Sequence, residues 1–214
     1  MRILGISTER AETSKIASQI LSLGKSIAGK LLGEGAIMPE ELEVVEYGID
    51  SLFDNLWGLA VTLMVGFVFR FFWGSFLLWL FVFPLRKYAG GFHAKTKTRC
   101  RAFSITVLVL STVCFQLVQW KKNSLLIIMI VLFFLIYFTA PIDTVNKKLD
   151  RTEKTIYRRR TRLILTAEGL VFILAFFIDM KTLMLVLPNA FLIVEIALLA
   201  GKIGGDIQNK FRKK

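Results

Sequence analysis

The sequence predicts an all-α, polytopic integral membrane protein: about six transmembrane helices preceded by an N-terminal amphipathic helix. Three observations predict it. Of 214 residues, 55% are hydrophobic, and the mean hydropathy is +0.60, well above that of an ordinary soluble domain. The apolar residues fall in runs that approach the roughly 20 residues a spanning helix needs. The ten-residue alternating segments of a closed barrel are absent, and helices and closed barrels are the structures that satisfy their backbone inside lipid.

Along the chain, residues 8–32 read as an amphipathic helix. Thr8 is a capping residue and Glu9 and Glu12 suit a first turn. Ile16, Ile20, Leu23, Ile27 and Leu31 form one apolar stripe. Such a helix lies in the membrane interface, packs on a partner, or covers the protein's own core. Gly33 and Gly35 end it. Pro39 opens a second helix, with Glu40, Glu41 and Glu43 in its first turns, that runs into the first span. Residues 1–55 form this juxtamembrane region, and residues 56–200 form a transmembrane domain. Its six spans are 56–72, 73–85, 102–120, 124–142, 163–178 and 182–200. The second is short, with Pro84 near its end, and is free to tilt, reach further or re-enter. No cleavable signal peptide is visible in residues 1–30.

Charge sets the expected orientation. The formal net charge is +12. Nucleic-acid binding is the usual first thought for such a value, but the cations lie in loops between apolar runs, as the positive-inside bias requires, and no nucleic-acid partner is expected. Residues 1–55 are net −4. The 86–101 loop is net +6, the 143–162 loop net +5 and the tail 201–214 net +4. If all six spans cross, these three basic segments and both termini share one face, which is then the cytoplasmic one.

The 86–101 loop holds the chemistry. It contains the single histidine, His93, and one of two cysteines, Cys100, behind Gly90-Gly91 and among six Lys/Arg with no acid. A cysteine attacks as thiolate, an imidazole can take its proton, and neighbouring cations favour the anion. On one straight helix His93 and Cys100 would stand roughly 10 Å apart, too far for easy contact, but Gly90-Gly91 before the histidine suggests a turn that lets the two lie on separate short elements. A surface histidine and a small apolar residue at the mouth of a span remain the plain alternatives. Cys114 lies inside a span and is not expected to react or to form a disulfide. Glu168 and Glu195 lie within spans, where an ionisable residue suggests a site, a pairing with a loop cation or snorkelling. No metal or cofactor is expected.

The run Arg86-Lys87-Tyr88-Ala89-Gly90-Gly91-Phe92-His93-Ala94, followed by Cys100, resembles the signature of the accessory gene regulator B family. These are membrane cysteine endopeptidases of Gram-positive bacteria that process quorum-sensing propeptides. The resemblance extends to the amphipathic N-terminal segment, the spacing of the spans and the Pro141…Asn146-Lys147-Lys148 element. It implies that Cys100 is the nucleophile and His93 the general base, with Arg86 and Gly91 at motif positions required for activity. It further implies a propeptide substrate with an amphipathic leader and an acidic tail, cut through an acyl-enzyme thioester that closes to a thiolactone or lactone. A homodimer in the bacterial cell membrane is also implied. Asn146, Lys147 and Lys148 are candidates for substrate contact, since an acidic tail is drawn to basic loops. The alternative is a non-enzymatic transporter or binding protein for an anionic solute or lipid, which leaves the Gly-Gly-Phe-His…Cys element without a purpose.

Overall fold

The computed structural model describes residues 24–91, 97–142 and 150–212. Six long α-helices run in order: α1 Leu42–Val68, α2 Phe72–Ala89, α3 Lys97–Leu117, α4 Lys122–Thr139, α5 Arg151–Ile178 and α6 Lys181–Arg212. No strand occurs among the described residues. The chain divides into two compact units, residues 1–60 and 61–214.

In the first unit, residues 24–33 are helical; the rest of the predicted amphipathic helix lies outside the described residues. Its end is a Schellman turn. Gly35 takes φ +69°, its N–H donates to Leu32 O, and Ala36 N–H donates to Leu31 O. A short 3-10 turn, Pro39–Glu41, then leads directly into α1. The Glu41 carboxylate accepts from the Met38 N–H at 3.0 Å, closing the start of that turn.

The second unit is built around α6, which packs against α2, α3, α4 and α5. Two faces of α6 are used. Leu187, Phe191, Val194 and Leu198 join Leu125, Met129, Leu132 and Ile136 of α4 and Leu165, Phe172 and Ala175 of α5. Val186, Ala190 and Ile193 meet Leu78 of α2, with Val107 and Leu108 of α3 alongside. Large apolar side chains of the outer helices point away from this core: Leu110, Ile127, Phe134, Leu170 and Phe177 are all exposed. In lipid that outward apolar face is solvated, so the bundle needs no polar exterior over these turns.

Among the described residues five helical stretches are long and apolar enough to cross a membrane: Pro39–Val68, Arg99–Leu117, Lys122–Thr139, Arg151–Ile178 and Lys181–Gly204. The predicted span 73–85 is not among them. It forms the greater part of α2, whose 18 residues reach about 27 Å, and Arg86 and Lys87 occupy its last turn. Its Leu78, Leu85 and Ala89 are nevertheless fully buried. The boundaries differ from expectation chiefly where helices continue past the apolar run. Residues 151–162, expected as loop, are the first three turns of α5. Asp150 caps them, with its N–H donating to Glu153 Oε2 at 3.1 Å. The expected basic tail is helical through Arg212. Helix propensity and capping extend each rod beyond the point where hydropathy falls.

At the opposite end of these helices, α5 stops at Asp179 in a left-handed conformation, φ +64°. The Asp179 carboxylate accepts from Lys122 Nζ at 2.9 Å, tying the start of α4 to the end of α5.

Candidate active site

The predicted motif straddles the end of α2 and the start of α3. Arg86 is in the last turn of α2, and the helix ends at Gly90, whose N–H donates to Arg86 O. Cys100 is in the first turn of α3 and is half-buried. The helix thus ends before His93, at the glycine pair where a turn is expected. His93 itself lies outside the described residues, as do Asn146, Lys147 and Lys148.

Two glycines set the geometry of the break. Gly90 has φ +81° and Gly91 φ +139°, both in the region that disfavours a side chain. A Cβ on Gly90 would lie 2.8 Å from the carbonyl oxygen of Ile142, and one on Gly91 would lie 3.3 Å from Ala197 of α6. The motif therefore rests directly on the backbone of the 140–142 segment on one side and on the central helix on the other. The Ile142 N–H donates to Ala89 O at 3.2 Å, and the Ala140–Pro141 bond is cis. The chain thus passes directly against Gly90 at Ile142, four residues before Asn146.

The charge of a Cys100 thiolate acts on the Arg86 guanidinium and raises its pKa, against the larger lowering effect of burial. Neither cysteine is in a disulfide, and Cys114 sits exposed on α3, about four turns farther along the helix.

Two further residues, Arg160 and Tyr157, meet Tyr88 of the motif without any sequence signal. Tyr88 accepts a hydrogen bond from Arg160 at 3.3 Å, the Arg160 guanidinium lies 5.2 Å from the Tyr88 ring centroid, and Tyr157 packs its ring 5.9 Å away. The basic first turns of α5 are thereby held against the end of α2. The aromatic residues lie 69 positions apart in the chain, which no local pattern links.

The intramembrane carboxyls are placed elsewhere. Glu168 and Glu195 are buried, at 5% and 3% exposure, on α5 and α6. One oxygen of each has no hydrogen-bond partner among the described residues. Neither snorkels, and neither is among the charges that act on Arg86. Thr112 and Asn189 line a cavity of about 10 Å³ between α3 and α6. Thr112 is twelve residues from Cys100, about 18 Å along the helix.

A bundle of long apolar helices arranged round a buried central one defines a multi-pass helical membrane protein. The chain belongs to the accessory gene regulator B family, whose model matches residues 24–200. It is similar to the AgrB-like protein 2 of Clostridium perfringens (strain 13 / Type A), with 26% identity over 142 residues, 63% of this chain and 66% of that protein. It is likewise similar to an AgrB-like protein of Clostridium perfringens (strain SM101 / Type A), with 28% identity over 142 residues and the same coverage. The matched part is thus just under two thirds of the length of these curated relatives. No solved structure matches the chain. Family membership gives the anion-transporter alternative no support.

Proposed function

We propose that the protein is a membrane cysteine endopeptidase that removes the acidic C-terminal tail of a quorum-sensing propeptide. Cys100 is the nucleophile and His93 takes its proton. An acyl-enzyme thioester forms, and a cysteine or serine of the signal segment attacks it to release a thiolactone or lactone. The observation that carries this reading is the joint between α2 and α3. A half-buried cysteine stands in the first turn of a helix, Arg86 stands in the last turn of the helix before it, and two glycines of positive φ end that first helix.

Physical chemistry supports the cyclising outcome. A site at the edge of the membrane holds little water, so an internal nucleophile held near the thioester competes with hydrolysis. Basic segments on the same face attract an acidic tail. In this reading both termini and the 86–101 segment are cytoplasmic, α2 crosses with the other five helices, and the protein acts as a homodimer.

The test is propeptide cleavage by purified variants. Cys100→Ala and Cys100→Ser lose cleavage while still inserting into the membrane, and Cys114→Ala cleaves normally. Near-normal cleavage by inserted Cys100→Ala would end the cysteine-peptidase reading.

A further inference from the structure

The first turns of α5 carry cations at a regular interval. Arg151, Lys154, Arg158 and Arg162 follow one another at spacings of three, four and four, which puts them on one face of a helix. Two contacts show which face it is. The Arg162 guanidinium lies 4.2 Å from the Tyr137 ring of α4, and a Cβ on Gly169, two turns farther on, would lie 3.3 Å from Phe133 of α4. This is the face that packs on α4. The two helices are antiparallel, with Lys122 paired to Asp179 at their far end. α4 ends at Thr139, just past Tyr137, and the chain then turns towards α2, where the Ile142 N–H donates to Ala89 O. α4 therefore stops covering the row near Arg162, and Arg151 and Arg158 are exposed. Arg160, on the opposite face, fixes the rod by donating to Tyr88 Oη at 3.3 Å. The two acids at the start of the rod serve its cap, where Asp150 and Glu153 bind backbone N–H groups. Among the described residues no carboxylate pairs with Arg151, Arg158 or Arg162. Arg162 Nε is buried without a hydrogen-bond partner among them, a costly state for a charged group that the Tyr137 ring offsets in part.

We infer that this row is a docking track for an extended acidic peptide segment. From Arg151 to Arg162 it is about 16 Å long, a distance that about five residues of extended chain span. Rungs four residues apart stand about 6 Å apart along the helix. That is close to the roughly 6.6 Å between alternate side chains of an extended chain, so successive carboxylates on one side of the peptide meet successive cations. A layer of lipid phosphates fits less well. α5 becomes apolar from Leu163, so headgroups at that level reach the lowest rungs only, whereas the row continues along the helix axis to Arg151. The rod also stands beside the motif, because Tyr88, which Arg160 holds, is two residues before Gly90. Under the peptidase reading, on which its biological role rests, the track seats the acidic tail of the propeptide.

The test reads binding without cleavage. Full-length protein in phosphatidylcholine nanodiscs is titrated against fluorescein-labelled hexaglutamate, and anisotropy gives Kd at low salt. Arg151→Gln with Arg158→Gln weakens binding about tenfold, as the loss of two exposed ion pairs allows, and the difference closes as salt rises. Arg151→Lys with Arg158→Lys stays within about threefold of the parent, because the track uses charge more than the planar fork. Thr155→Glu keeps every arginine, places a carboxylate between Arg151 and Arg158 on the same face, and weakens binding by a similar factor. Lys25→Gln with Lys30→Gln removes the same net charge from another helix and leaves Kd within about twofold, since distant exposed charges are screened. An unchanged Kd in either the Arg151/Arg158 glutamine variant or Thr155→Glu overturns the track, as does an equal fall in the Lys25/Lys30 variant. Unchanged peptide binding together with loss of co-purified phosphatidylglycerol, read by native mass spectrometry, overturns it in favour of a lipid site. Any of these results leaves the peptidase reading intact. Cleavage by Cys100→Ala would remove the peptidase reading while leaving the binding measurement standing.

Discussion

Gly90 bears a tighter constraint than Gly91, although Gly91 is the one the family motif singles out. Its φ of +81° already disfavours a side chain, and the oxygen a Cβ would meet at 2.8 Å is backbone, which has little room to yield. At Gly91 the nearest neighbours are the methyl and the carbonyl oxygen of Ala197, both farther away at 3.3 Å. Gly90→Ala is therefore expected to cost about 1–3 kcal/mol from backbone strain alone, and Gly91→Ala less from crowding. Thermal unfolding in detergent, read beside cleavage, checks the order. At this scale the sequence was informative in a particular way. Residue types were enough to place a turn at Gly90-Gly91, ahead of His93, because two adjacent glycines rarely continue a helix. They were not enough to reveal Tyr88, Tyr157 and Arg160 as neighbours. That cluster depends on how α5 returns beside α2, and no periodicity within either segment encodes it.

Among the helices, hydropathy located every apolar run but misjudged where the rods end. The difference is instructive at α5. Hydropathy marks residue 163 as the start of a span, while the Asp150–Glu153 capping box starts the helix twelve residues earlier. The basic residues Arg151, Lys154, Arg158, Arg159 and Arg160 are consequently set on a rigid rod. Arg160 anchors that rod to Tyr88, and near its base Arg162 lies 4.2 Å from the Tyr137 ring of α4. The expected basic loop 143–162 thus reduces to the connection before Asp150, where Lys147 and Lys148 lie. Which helix is central was also hidden from the sequence. All the runs are strongly apolar, and lipid-facing and core-facing leucines look alike to a hydropathy scale. If the acidic tail docks on that connection, charge reversal of Lys147 and Lys148 together raises KM more than it lowers kcat. Such docking holds ground state and transition state alike. Each exposed ion pair contributes only about 0–1 kcal/mol, so the double variant assayed at low salt is the informative one. An unchanged KM there would move tail capture to the 86–101 segment or to the α5 rod.

For the molecule as a whole, orientation follows from charge and chemistry follows from the α2–α3 joint. In the proposed orientation the 86–101 segment, and with it the proposed chemistry, lies on the cytoplasmic face. A cysteine substituted for Thr96, in protein lacking the native cysteines, is expected to resist an impermeant thiol reagent applied to intact cells and to react once the membrane is opened. Labelling from outside would reverse the orientation and with it the face to which a propeptide must be delivered. The central claim is that Cys100 carries the acyl group, and it is tested most directly by trapping that group. Protein is mixed with a propeptide whose ring-closing cysteine or serine has been replaced by alanine, quenched in acid, and the Cys100 peptide is weighed. The account predicts an adduct of the mass of the leader plus signal segment, confined to Cys100 and removed by neutral hydroxylamine. Release of the acidic tail at the normal rate with Cys100 unmodified throughout would contradict it.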